Sequence, residues 1–338
     1  MKNSVIFLSV LLMLLCPLFI HANSSDNKRA FASFSFENDV FFKDDGLYTN
    51  GLFFSWGYNH VDSLDEPNLP LWIATLAKQT HLTSTEKKQY AISYGLGQLF
   101  QTAIDISEQE LIKEDAPYLG LMAWEVSLLA FDESISDEVG LTLGVVGEMA
   151  GGEFTQSLVH SINGANQPAG WDNQIDNEFL FRLQARRTWR LYQTELDTPF
   201  FNSQFDWLVG IDGGIGNLRS DLATGVGFRF GQQLDRNFGS ATVFPVQKFN
   251  RLNYSPYGWY FFANLSVNMV ANDIFINGNT FHDSHSVALR HQQVSMSAGI
   301  MANVYDFSFL YTFLYITDEY EGQAEPSRFG SISIAYHF

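Results

Sequence analysis

Cysteine is all but missing from this chain: the single one, Cys16, lies in its first segment. Residues 1–22 carry one positive charge at Lys2, an apolar core from Val5 to Ile20, and a small Ala22 before the polar Asn23, Ser24 and Ser25. That pattern is a secretory signal peptide, too short and wrongly flanked for a stable membrane span. The residues before Cys16 are not the small ones of a lipoprotein signal. The exported chain, expected as a single domain over 23–338, is thus without disulfides and must close its bonding some other way. Long apolar runs are missing as well. Outside the signal none approaches the ~20 residues of a membrane helix. Charge is scarce, at 17% of residues, and mostly of one sign, with 19 Lys and Arg against 37 Asp and Glu. The acidic excess argues against a nucleic-acid partner. An acidic surface can hold divalent cations near an anionic lipid, although net charge taken alone is read as solubility.

What the chain does have is aromatic residues in period-two stripes. Tyr305, Phe307, Phe309, Tyr311, Phe313 and Tyr315 share one face, with Asp306, Ser308 and Thr312 on the other. Trp259, Phe261, Ala263, Leu265, Val267 and Met269 form a second stripe, and Met122, Trp124, Val126 and Leu128 a third. Phe179, Phe181 and Leu183 oppose Arg182, Gln184 and Arg186, a polar inward face that suits a lumen. A soluble sandwich alternates too, but its outward face is polar and seldom aromatic. The expected fold is therefore all-β, a transmembrane antiparallel up-and-down β-barrel of about 12 strands. Strands are expected near 30–42, 47–60, 89–101, 119–132, 137–149, 177–192, 202–216, 221–231, 258–271, 286–301, 304–316 and 328–338. An even number leaves both termini in the periplasm. The amphipathic last strand, closing on Phe338, resembles the terminal signature of bacterial outer-membrane barrels. Loops 42–47, 102–118, 150–176, 216–221, 272–285 and 317–327 then lie outside the cell. Two periplasmic connections, 61–88 and 232–257, are longer than tight turns, and 71–78 in the first reads as a short helix.

Two places carry candidate chemistry. At the rim of the first hairpin, where alternation ends, stand Glu37, Asn38, Asp39, Asp44, Asp45, Tyr48, Thr49 and Asn50. Carboxylates and amides crowded there are costly unless they coordinate something or lie in water. In loop 150–176, Gly151 and Gly152 precede a short helix over 153–162, ended by Asn163 and Gly164. Gln156 and His160 are four apart and share a helical face. A lone histidine on a loop is ordinarily a surface residue. Beside an acidic, amide-rich rim at the same end of the barrel, it becomes a candidate general base.

These residues resemble the lipid A 3-O-deacylases of the outer membrane. The resemblance rests on END at 37–39, YTNG at 48–51, YGLGQLF at 94–100, DAPYLG at 115–120, Gln156 and His160, and PAGWDNQIDNE at 168–178, all in order. It implies a site between the outer barrel wall and a helix from an extracellular loop. It implies calcium-dependent hydrolysis of the 3′-linked acyloxyacyl ester of lipid A, with lipopolysaccharide in the outer leaflet as substrate. Carried over residue by residue, the family's functional positions fall on Asn38, Asp39, Thr49, Gln156 and His160. Asp39 and Thr49 would offer hard oxygens to Ca²⁺. Asn38 would meet the substrate, and His160 would draw a proton from water oriented by Gln156. Thr49 falls on the opposite phase from Leu52, Phe54 and Trp56, so a bulge or loop geometry is needed to bring it beside Asn38.

The chain departs from that pattern in its second extracellular loop, where Lys113 is the one basic residue available to a lipid phosphate, and after the helix, where Asn166 and Pro168 stand. Headgroup preference is thus less constrained than reaction class. A phosphate-poor lipid A, or a cation bridging phosphates to acidic loops, fits. Competing readings are an outer-membrane phospholipase and a passive pore or adhesive barrel. The first needs a serine two residues after a histidine, where this chain has Ile162. The second leaves the clustered site residues unexplained. The expected assembly is a monomer or weak oligomer.

Overall fold

The computed structural model describes residues 30–38, 47–61, 63–64, 71–80, 82, 88–163, 167–197, 202–244 and 255–338. The expected signal peptide and Asp39 lie outside the described residues. Twelve strands close into one antiparallel barrel in sequence order. They are β1 (Ala30–Asn38), β2 (Leu47–Val61), β3 (Gln89–Thr102), β4 (Leu119–Phe131), β5 (Ile135–Val146) and β6 (Glu178–Asp197). The rest are β7 (Asn202–Ile215), β8 (Arg219–Gly231), β9 (Tyr257–Asp273), β10 (Gln292–Val304), β11 (Phe307–Ile316) and β12 (Ser327–His337). Closure leaves no free edge, so a chain without disulfides satisfies its backbone by the ladder alone. The seam runs between β1 and β12, from Phe31 opposite His337 to Asn38 opposite Gly330. Ser35 donates across it to Ser333 at 2.8 Å. Both barrel ends of the chain meet at one rim, where Ala30 and Phe338 exchange backbone hydrogen bonds.

The largest departures from the expected strand boundaries are in β6 and β10, while β5 and β11 differ by up to three residues. β6 runs on to Asp197, continued past a bulge between Arg190 and Tyr192. β10 starts at Gln292 rather than 286, because the preceding backbone bonds elsewhere. Leu289 makes only an isolated bridge to Tyr320, and Arg290 N–H donates to the Glu319 carbonyl.

The lumen is filled with paired charge. Arg186 lies between Asp212 at 2.8 Å and Glu138 at 3.3 Å, and Arg182 holds Asp221 at 2.7 Å. Arg229 and Asp206 pair deep in the interior. Removing one partner of such a pair typically costs about 3–5 kcal/mol, because the other charge is left stranded. Near the rim of the chain ends, the segment 232–244 after β8 turns inward. Its Phe238, Val243 and Phe244 pack on Leu208 and Ala223. Gly210 makes room for it: a Cβ there would come within 2.8 Å of both Val243 and Phe244. At the far rim, the turn Ile274–Asn277 folds in against Leu218 and Leu119.

Outside the wall lies an element that the alternation does not announce. The helix α1 (Leu71–Gln79) belongs to the long connection between β2 and β3. Its Ile73 and Ala77 are buried against Ile92, Tyr94, Trp124, Val126 and Leu128. Those residues face outward, since the intervening Glu125 accepts from the lumen-side Thr142 at 2.9 Å. The stripe of Met122, Trp124, Val126 and Leu128 is therefore covered by protein over much of its length. Trp124 retains 2% exposure, against 50% for Phe261 and Met269 in the uncovered stripe of β9. In a membrane this packing replaces lipid tails rather than water, so it rests on fit and not on a hydrophobic driving force.

Candidate active site at the outer wall

The far rim of the same wall carries the candidate site. Phe34, Phe36 and Asn38 share the outward face of β1; Phe34 is 50% exposed, yet Asn38 is only 8% exposed. Asn38 stands directly opposite Asn50 of β2, which stands opposite Phe100 of β3. The β2–β3 ladder slips between Tyr48 and Asn50, so Thr49 is the extra residue of a bulge. The backbone of β2 is therefore bulged at Thr49. Thr49 sits one residue closer to the rim than Asn50.

The loop between β5 and β6 lies across the same outer wall. Gly147 and Gly151 hold positive φ values of 96° and 69° on either side of a 3-10 turn, Glu148–Ala150, and the helix α2 (Gly152–Asn163) follows. Gly152 lies against the wall so closely that a Cβ would meet Gly120 Cα and Trp171 Cη2, each at 2.8 Å. Gln98, an outward-facing polar residue of β3, donates to the Ala150 carbonyl at 2.6 Å and accepts from the Thr155 hydroxyl at 2.8 Å. Gly152 therefore rests on β4 and Thr155 on β3. The helix thus runs from β4 over β3 in the direction of β2.

Gln156 is completely buried, and its Oε1 accepts from Trp171 Nε1 at 2.9 Å, while its Nε2 has no partner among the described residues. Trp171 is itself held edge-on between Phe100, at 6.4 Å, and Tyr118, at 5.4 Å. Burial pushes the Tyr118 phenol up to about 12, so it stays neutral beneath the loop. His160, one turn beyond Gln156, is half-buried. The loop rests on its neighbour: Ala169 N–H donates to the Ile106 carbonyl at 2.8 Å, and Asn173 donates to that of Gln109 at 2.7 Å. Asp115 organises that neighbour by accepting from the Ile104 and Ala116 amides and from the Tyr320 hydroxyl.

Asn38 and Asn50 thus stand on the outward faces of β1 and β2, Gln156 and His160 on a helix laid over β4 and β3 of the same barrel wall, and Thr49 at a bulge of β2; Asp39 falls outside the described residues. Sequence reasoning gave no role to Gln98, Trp171 or Asn50. Gln98 had a legible signal, since it interrupts the otherwise apolar outward positions Ile92, Tyr94 and Leu96 of its strand. Trp171 had none beyond its motif. The donor set at the rim is all oxygen: a carboxylate at Asp39, a hydroxyl at Thr49 and amides. That chemistry fits a hard cation, although no group of three acidic or histidine side chains gathers among the described residues.

Comparison with known proteins gives this arrangement a context. The family model described as outer membrane protein LpxR matches residues 6–338. The solved structure of LpxR from Salmonella typhimurium superposes with a TM-score of 0.72, covering 91% of this chain and 100% of that one, at 17% identity. The translocator domain of the autotransporter NalP from Neisseria meningitidis matches at a TM-score of 0.42 and 9% identity, covering 100% of this chain and 98% of its own. No curated protein matches the sequence. With a family match that spans nearly its whole length, the chain belongs to the LpxR family of bacterial outer-membrane lipid A deacylases.

Proposed function

We propose that the protein hydrolyses the 3′-linked acyloxyacyl ester of lipid A in the outer leaflet, with Ca²⁺ as cofactor. One observation carries this reading. Asn38 emerges on the lipid-facing side of β1 and is nevertheless buried, at the end of the wall crossed by the helix that bears Gln156 and His160. A polar amide in that position meets an ester presented from the membrane, while the helix supplies the base from above. His160 takes a proton from water as the water attacks the ester carbonyl, and returns it to the departing sugar oxygen. Asn38 donates to the carbonyl oxygen as charge gathers there. The Gln156 amide, fixed by Trp171, orients the water or the acyl chain. Asp39 and Thr49 would hold the cation, which supplies electrostatic stabilisation of the developing oxyanion.

A serine mechanism of the phospholipase type is disfavoured by Ser161, whose hydroxyl donates back to the Ser157 carbonyl at 2.7 Å within the helix. Mass spectrometry of lipid A from cells with and without the protein tests the reaction, and loss of one 3′-acyloxyacyl mass is the expected result. In detergent, chelation should abolish turnover and added Ca²⁺ restore it. Asp39→Asn should require far more Ca²⁺ or be inactive. Full turnover in the presence of chelator would refute the role given to Asp39.

A further inference from the structure

We infer that Asn50 is a positioning residue of this reaction, holding the water that His160 activates; the inference rests on the deacylase reading above. Its side chain lies on the outward face of β2, directly across from Asn38, and is only 5% exposed. The other outward residues of that strand towards the opposite rim are Leu52, Phe54, Trp56 and Tyr58. Asn50 is thus the single amide on an otherwise apolar and aromatic stripe. A buried carboxamide in such a place ordinarily satisfies its oxygen, because leaving a polar group unpaired costs about 1–3 kcal/mol. Here Oδ1 has no partner among the described residues. The Gln156 Nε2 is likewise unpartnered and wholly buried.

An unpaired acceptor on the wall and an unpaired donor on the helix have opposite hydrogen-bonding sense. Neighbouring packing links them: Asn50 stands beside Phe100, Phe100 packs on Trp171, and Trp171 holds Gln156. The helix that bears Gln156 and His160 runs from β4 over β3 towards β2, the strand of Asn50. A water molecule joins such a set in a defined way. One of its hydrogens goes to the imidazole of His160 and the other to Asn50 Oδ1, while Gln156 Nε2 donates to one lone pair. The remaining lone pair is free to attack the ester carbonyl. As the new C–O bond forms, the first hydrogen passes to His160 as a proton and the second stays on the product carboxyl group. Of the cation ligands proposed above, Thr49 lies one residue nearer the rim than Asn50.

Kinetics of the full-length protein in detergent, with lipid A as substrate, separate this role from its rivals. Asn50→Leu and Asn50→Ala should each lower kcat by about 100-fold, the cost of a nucleophile misplaced by an ångström. KM and the Ca²⁺ concentration for half-maximal rate should stay within a factor of two or so of the wild type. Asn50→Asp retains an acceptor oxygen at the same place and should recover most of the rate. Heat-modifiable migration shows that each variant is folded, and Asn50→Leu, apolar and similar in size, guards against loss of the hairpin. A raised Ca²⁺ requirement at unchanged kcat would make Asn50 a cation ligand, and a raised KM alone would make it a substrate contact. Either overturns the inference, as does wild-type kcat in both apolar variants. If His160→Ala is also fully active, the deacylase scheme itself fails; if that variant is inactive and the Asn50 variants are not, only the present inference does.

Discussion

At the scale of single residues, the site is a set of polar side chains kept on a wall that ought to be greasy. Two of them are fixed by specific partners. Gln98 is fastened to the helix at both ends of its amide, and Gln156 is fixed by the Trp171 indole at 2.9 Å. His160 is the residue on which the chemistry turns. His160→Ala, or His160→Gln, removes the proton acceptor without touching the strand ladder. A positioned general base contributes about 10²- to 10⁴-fold, so deacylation should fall by that order while heat-modifiable migration is unchanged. A folded His160→Ala protein that still deacylates at near-normal rate would move the base elsewhere and reduce the helix to a lid.

Two helices outside the barrel decide what its wall can do. The helix α2 docks through absence of side chain: Gly152 meets Gly120 at a distance no Cβ tolerates. Gly152→Val should therefore lift the helix off the wall and move His160 by more than an ångström. Activity should drop about 100-fold, since misplacement on that scale costs as much. The barrel should remain closed, because its backbone bonds lie entirely in the ladder. Limited proteolysis within 152–163, faster in the variant than in the wild type, reports the lifting separately from the rate. The helix α1 covers the other end of the same stripe, with Trp72 against Trp124 at 6.1 Å between ring centroids. Between them the two helices leave the outward face of β3 and β4 with little contact to lipid.

For the molecule as a whole, both the lumen and the surface charge have consequences. The inward turn of Phe238, Val243 and Phe244 at one end, the 274–277 turn at the other, and the paired arginines between narrow the interior. Planar bilayers containing the protein should show no steady conductance under conditions in which lipid A is deacylated; a stable open channel would favour a pore. The net charge of −18 and the single basic Lys113 in loop 103–118 set a second expectation. A bisphosphorylated lipid A meets an acidic rim and should need more divalent cation than a dephosphorylated one for the same rate. Equal cation dependence for the two substrates would show that the phosphates are gripped directly by protein.

The amino-acid sequence by itself determined the strand number, the phase of each strand and the polar character of the lumen. Period-two alternation is a local property, and every strand displays it without knowledge of its partners. Motif spacing also picked out Asn38, Gln156 and His160, and the phase conflict at Thr49 pointed to a bulge or loop geometry; the β2–β3 register is bulged there. What a stripe faces was not legible. Met122, Trp124, Val126 and Leu128 alternate as a lipid-facing stripe does, yet α1 covers three of them. Apolar periodicity is the same whether the neighbour is a lipid tail or a helix. Likewise, only packing between residues far apart in the chain buried Asn50 on an outward face and set Trp171 against Gln156, 15 positions away. Those contacts depend on where α2 crosses the strands, and that follows from a close approach of Gly152 to Gly120 which no local pattern encodes.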